Sequence, residues 1–334
     1  MLAILLVTFP FFALVLCGYV AARRGLLPLA AIPGLNSFVL FFALPCMLYR
    51  FGASTPIAQL LDFAVLGVYL VCALLMVGVT LVLTRRGPLR RLDWNNAAFG
   101  ALVAAFPNTG FMGVPLLVAL LGAQAAGPVI AAIALDMLIT SSLCIALSRL
   151  DQTGSANGAA GTAAGGAAAQ ALKQAVKGVL SNPMPWAIVL GGLASANGWL
   201  LPLPLAKTLG LLADAASPVA LFTIGAVLAR SQINHDSAAP GHTHWTDYVP
   251  LALLKLLLHP LLMGLVGSAA IAWGAALSPF ALVVLVLVAA LPSASNVSLL
   301  AERFGADNGR IARIILVSTA TAFLTFSAVV ALLT

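Results

Sequence analysis

Charge is what this sequence has least of. Of its 334 residues only 7% are Asp, Glu, Lys or Arg, against 62% hydrophobic residues and a mean hydropathy of +1.10. A soluble domain carries roughly 25% charged residues, so this chain cannot cover a water-facing surface. That excludes an ordinary cytosolic enzyme, a nucleic-acid binder and a secreted disulfide scaffold, despite the net charge of +7. Cysteine is scarce too. Cys17, Cys46, Cys72 and Cys144 all fall inside apolar runs and no CxxC occurs, which argues against a zinc site or disulfide framework and for small buried thiols. Hydrolytic signatures are missing: there is no HExxH, no GxGD and no paired intramembrane aspartates, so a membrane enzyme has no candidate constellation. No cofactor is expected.

What is present is long apolar runs. A helix needs about 20 apolar residues to cross the hydrocarbon core, and ten such runs occur, near 3–22, 33–51, 60–84, 95–121, 125–148, 180–198, 203–229, 248–273, 278–302 and 311–333. The expected fold class is an all-α membrane protein embedded in a lipid bilayer. The first run is read as a retained span, because Arg23 and Arg24 follow it rather than precede it and no small-residue cleavage site stands out. With the N-terminus outside, thirteen of the sixteen Lys/Arg fall on the inner side: Arg23, Arg24, Arg85, Arg86, Arg90, Arg91, Arg149, Lys173, Lys177, Arg230, Arg303, Arg310 and Arg313. Only Arg50 and Lys207 lie outside, and Lys255 lies within a span. This asymmetry orients the protein with both termini external.

The segment 149–179 is Gly/Ala-rich and reads as a cytoplasmic linker between two halves, 1–148 and 180–334, of five spans each. A second polar stretch, SQINHDSAAPGHTHWTD, reads as a solvated loop. Its His235, His242 and His244 lack ligand spacing, so no metal is expected. An odd number of spans per half makes the second half enter the membrane inverted. The halves match weakly: GAQAAGPVIA (122–131) resembles GADNGRIARI (305–314), each following a Pro- and Asn-containing stretch, FPNTG (106–110) and LPSASN (291–296). Pro45 and Pro218 also correspond. Interrupted segments at matching positions of two halves point to a transporter site.

The fourth run contains Pro107, Gly110, Gly113 and Pro115 within nine residues, which should unwind it. Asn108 lies about 18 Å into the run at 1.5 Å per residue, near the bilayer midplane. In the ninth run Pro292, Ser293, Ser295 and Asn296 sit at comparable depth. Unwound backbone cannot face lipid, so both breaks are expected to face protein or water, and plausibly each other. A half-helix begins after each break, and its free N–H groups and positive dipole end favour an anion. Asn108, Thr109, Gly110, Ser293, Ser295 and Asn296 are therefore the candidate substrate-binding residues, with Pro107 and Pro292 as break points. The competing reading is that the prolines only kink packed helices.

Ionisable groups inside the membrane are costly and usually functional. Asp136, Asp214, Lys255 and His259 are the candidates for ion coupling, with protons as the coupling ion, since a low-dielectric site penalises their charged forms. The alternative is that Lys255 pairs with an aspartate and simply joins helices. Arg50 and Asp62 fit snorkelling or a surface pair near the outer interface.

Four stretches, PNTGFMGVPLL (107–117), ALPSASNVSLLAERFGAD (290–307), SPVALFTIGAVL (217–228) and LKLLLHPLL (254–262), resemble the auxin efflux carrier family, particularly its bacterial malonate- or malate-transporter members. The resemblance covers almost the whole chain. It implies ten transmembrane helices in two inverted five-helix repeats, with crossed, proline-broken helices 4 and 9. It also implies an organic-anion site at that crossing with Asn108 and Asn296 beside it, an elevator-like movement past a scaffold, and a homodimer. The second break departs from the first in lacking its glycines. The expected function is secondary active transport of a small carboxylate, a dicarboxylate such as malonate, across a bacterial inner membrane. Three rivals stand beside it: a sodium-coupled symporter of a larger amphipathic anion, an efflux carrier of a monocarboxylate such as auxin, and a passive channel.

Overall fold

Apolar runs bounded by Pro, Gly and Arg have one way to satisfy their backbone in lipid, which is to close every N–H and C=O inside helices. The computed structural model describes residues 2–56, 59, 61–86, 92–150, 183–237 and 244–333, and among them there is no strand. The helices are α1 (Leu2–Arg23), α2 (Leu29–Ser54), α3 (Phe63–Arg85), α4 (Trp94–Ala105), α5 (Thr109–Leu121), α6 (Ala123–Ser148), α7 (Pro183–Asn197), α8 (Leu203–Ser237), α9 (Val249–Ala272), α10 (Pro279–Ala290), α11 (Asn296–Arg303) and α12 (Asn308–Leu333). Seven of these, α1, α2, α3, α6, α8, α9 and α12, contain stretches long and apolar enough to cross a membrane. The fourth and ninth apolar runs each fold as two shorter helices, α4/α5 and α10/α11, and α7 has 15 residues.

Local chemistry sets several ends. Asp62 accepts hydrogen bonds from the amides of Ala64 and Val65 at 2.9 and 3.1 Å and starts α3, and Ser278 accepts from Ala281 at 3.1 Å to start α10. Asp62 is thus a helix cap rather than a partner of Arg50. The Gly/Ala-rich linker lies outside the described residues from 151 onward, as do Arg90, Arg91, Lys173, Lys177 and His242. One expectation is corrected: α8 continues through His235 to Ser237, so the first part of the polar stretch after it is helical, not loop. His244 accepts from the Thr246 amide at 3.5 Å and opens the short turn Trp245–Asp247.

Packing divides the helices by how they meet. α1 lies along α8, and α2 lies along α7. At the first contact a Cβ on Gly18 would stand 1.8 Å from the Phe222 carbonyl oxygen, and one on Gly225 would stand 1.8 Å from that of Val15. Only glycine permits this approach, the mode by which apolar helices associate where lipid removes the hydrophobic drive. α3, α4, α6, α9, α10 and α12 form the other group of contacts. Within it, every residue from Ala97 to Ala105 in α4 and from Val284 to Ala290 in α10 is buried. The helices that end in breaks are therefore walled off from lipid by protein, as their unpaired ends require.

Candidate functional site

Proline at 107 and 292 removes the amide that would continue each helix, and the chain leaves helical geometry at Phe106–Asn108 and Leu291–Ser295. The two breaks then pair with each other. The Asn108 amide donates to the Pro292 carbonyl at 2.8 Å, and the Ala294 amide donates to the Phe106 carbonyl at 3.0 Å. Pro107 and Ser293 thus face each other as a short antiparallel bridge. Segments about 185 residues apart in sequence satisfy one another's backbone, which neither could do alone in a dry interior. The expectation that the breaks face each other holds in this geometry. The expectation that all their amides stay open to a ligand does not: those of Asn108, Ala294 and Thr109 are taken, the last by the Pro107 carbonyl at 2.7 Å.

The side chains are another matter. Asn108 is 3% exposed, with its backbone amide tied to Pro292 and its side chain at the bridge between the breaks. Ser293 Oγ and Asn296 Oδ1 are buried without partners, and the half-buried Ser295 stands between them in the chain. Buried polar groups are nearly always hydrogen-bonded, so the two unpartnered oxygens at the second break, facing the first, stand out among the buried polar atoms. Thr109 differs, because its hydroxyl donates to the Pro107 carbonyl at 3.2 Å and so stabilises the break. Gly110 is half-buried at the start of α5. Ser318 of α12 supports the second break by accepting from the Ser293 amide at 3.2 Å.

Beside the crossing lies a cavity of about 10 Å³, lined by Phe111 and Ser295 on the crossing side and by Asn36, Val39, Thr223 and Ile224 among the residues of α2 and α8. That is room for about one water molecule. The site is closed in this conformation. Asn36 and Thr223 were not singled out in the sequence; the signal available was a lone amide within the apolar run LNSFVLFF.

Behind the crossing sits a second polar cluster. Asp136 is fully buried and takes a hydrogen bond from the Tyr69 hydroxyl at 2.6 Å and another from Thr140 at 3.0 Å. Lys255, also fully buried, donates to the Ala289 carbonyl at 2.6 Å and lies 3.0 Å from His259 Nδ1. His259 Nε2 has no partner. Among the described residues no aspartate lies within ion-pair distance of Lys255, although its charge and that of Asp136 interact across the cluster. Asp214 stands elsewhere, in an exposed ion pair with Arg50 at 2.7 Å. Tyr69, the partner of Asp136, was missed because nothing in FAVLGVYLVCALLM relates it to a residue 67 positions away.

Four wide, π-type turns occur among the described residues, at Val39–Ala43, Thr109–Gly113, Asp136–Thr140 and Leu254–Leu258. Each carries or adjoins a residue of the crossing, the cavity or the buried polar cluster, in keeping with the habit of such turns to mark functional positions. At the far end of α11 the frame is tied down. Asn95 donates to the Phe304 carbonyl at 3.0 Å, Asp307 to Asn96 Oδ1 at 2.7 Å, and the buried Arg310 to the Asp247 carbonyl at 2.9 Å.

Comparison with known proteins agrees with this frame. The family model described as "Membrane transport protein" (Mem_trans) matches residues 4–330. A Rhizobium meliloti protein named "Putative malonate transporter" is 29% identical over 316 residues, covering 93% of this chain and 89% of its own length. The Escherichia coli K12 "Uncharacterized transporter YfdV" is 28% identical over 297 residues, covering 88% and 86%. An uncharacterised transporter of Methanothermobacter thermautotrophicus is 27% identical over 310 residues, covering 92% and 90%. The chain belongs to the Mem_trans family, the auxin efflux carrier family, and is a multi-pass membrane transporter rather than an enzyme.

Proposed function

We propose that the protein is a secondary active transporter of small organic anions, with a dicarboxylate such as malonate as its substrate. The observation that carries the reading is the paired crossing with its unpartnered polar side chains. A carboxylate there meets neutral donors, the Asn108 amide and the hydroxyls of Ser293 and Ser295, together with the amino-terminal ends of α5 and α11. Such donors hold an anion without a buried arginine, and weakly enough to release it.

On this reading α4/α5 and α10/α11 are two interrupted spans, so that ten spans form two inverted repeats, 1–148 and 180–334, joined by the cytoplasmic linker 149–179. The packing supports the symmetry. Exchanging the halves turns the α1–α8 contact into the α7–α2 contact, and both are glycine crossings: a Cβ on Gly191 of α7 would stand 2.7 Å from the Tyr49 carbonyl of α2. The cavity is lined by the crossing on one side and by α2 and α8 on the other, and it is too small for a dicarboxylate. An elevator-like slide of the crossing unit past α1, α2, α7 and α8 opens it alternately to each side. Asp136, held by two hydroxyls, is the place for a coupling proton. The membrane is the bacterial inner membrane, with both termini periplasmic.

The test is uptake by the purified protein in proteoliposomes. Saturable malonate uptake, accelerated when unlabelled malonate is preloaded, is the expected result. Linear flux without counterflow would make it a channel, and uptake of monocarboxylates alone would replace the substrate.

A further inference from the structure

The polar cluster behind the crossing holds a group that substrate binding does not use. α10 ends at Ala290, where the chain breaks at Leu291–Ser295; the Leu291 amide donates to the Val288 carbonyl at 3.2 Å, and the Ala289 carbonyl is left to a side chain. The last carbonyls also carry the negative end of the helix dipole. Lys255 Nζ lies on one of them, the Ala289 carbonyl, at 2.6 Å, with His259 Nδ1 at 3.0 Å. The Ala289 carbonyl is a neutral lone pair, and His259 Nδ1 is a second one in the tautomer that carries its proton on Nε2. The Asp136 carboxylate lies near enough to interact with the Lys255 charge but spends its hydrogen bonds on Tyr69 and Thr140. A carbonyl at the end of a half-helix plus a neutral nitrogen is a donor set for a small monovalent cation, and broken-helix transporters hold coupling cations at such ends.

We propose that Lys255 occupies the position of a coupling cation, supplying from the chain itself the positive charge that a sodium-coupled carrier takes from solution. A neutral residue such as Ser or Asn could cap the carbonyl far more cheaply than a fully buried lysine, whose ammonium is costly in a dry interior. The charge itself is therefore what is retained, and it stands behind a crossing that, on the proposed function above, receives an anion. The carrier then has no use for sodium and translocates each anion with one of its negative charges already offset.

Truncating the side chain to Lys255→Ala leaves its space open beside the Ala289 carbonyl and His259. Thermal unfolding of the purified protein should then show a saturable rise in Tm with sodium, at ionic strength held constant with choline, while the wild type shows none. This measurement needs no substrate, so it stands whether or not malonate is transported. A Lys255→Ala protein that melts without any sodium response, or a wild type that responds equally, overturns the proposal. Lys255→Gln covers the case in which the alanine variant does not fold. Its amide can still donate to the Ala289 carbonyl but carries no charge. In proteoliposomes its half-saturation for malonate should rise at least tenfold with Tm close to wild type; uptake equal to wild type would show that the ammonium serves only as a strut and refute the idea.

Discussion

Replacing Asn108 by alanine separates recognition from folding more cleanly than any other change at the crossing. Its backbone does the structural work: the amide donates to Pro292 at 2.8 Å, and the carbonyl accepts from Met112 and Gly113, each at 3.1 Å. Alanine keeps all three bonds. Truncation removes none of these backbone bonds, so the stability change should stay within about 1 kcal/mol. A hydrogen bond to a charged group is worth about 1.5–3 kcal/mol, which corresponds to about 10- to 150-fold in affinity. Asn108→Ala should therefore raise the half-saturation for malonate by that factor while expression and Tm stay near wild type. Uptake kinetics in proteoliposomes and a melting curve on the same preparation give both numbers. An unchanged half-saturation in well-folded protein would remove Asn108 from the site and with it the assignment of the crossing as the binding place.

Other substitutions probe the frame. Pro107→Ala restores an amide where α4 ends, and it should cut uptake at least tenfold at normal membrane levels; full activity would mean that the break does not depend on proline. A Cβ on Gly113 would stand 2.9 Å from a Leu291 methyl and 3.0 Å from one of Thr109, so Gly113→Ala should destabilise by about 1–3 kcal/mol, read as a lowered unfolding midpoint. Tyr69→Phe deletes a donor to a buried carboxylate and should cost about 1.5–3 kcal/mol; an unchanged midpoint would show that water replaces the hydroxyl. With Asp136→Asn, malonate uptake should no longer be driven by an imposed proton gradient while counterflow persists, and retained proton drive would move the coupling elsewhere.

The sequence revealed what depends on local chemistry. Pro107 breaks the fourth run at Phe106–Asn108 and Pro292 the ninth, so both interruptions were legible from residue types, but Gly110, Gly113 and Pro115, expected to unwind the run as well, sit inside α5, in or just after its wide turn. The pairing of the two breaks was legible only as a need, because unwound backbone has to find partners. Which amide meets which carbonyl depends on how helices distant in sequence pack, and no local pattern encodes that. For the same reason Asp136 and Lys255 were visible as costly buried groups, but Tyr69 and the Ala289 carbonyl were not visible as their partners. A backbone carbonyl leaves no mark in a sequence at all. Asn36 and Thr223 went unnoticed because a single polar residue in an apolar run has many uses, and only the facing helix distinguishes them. The extension of α8 to Ser237 shows the converse error, in which a polar stretch was read as loop although polarity marks departure from lipid rather than the end of a helix.

The join between the interruptions runs main chain to main chain, and this has an evolutionary consequence. A rivet made of peptide groups does not care which side chains hang from it. Mutation can restyle the side chains around the crossing, exchanging an amide for a hydroxyl or a small group for a large one, without loosening the backbone bridge that joins the two breaks. One mechanical core can thereby serve carriers of quite different cargo, and drift in substrate preference among relatives should be sought at the flanking side chains rather than at the prolines.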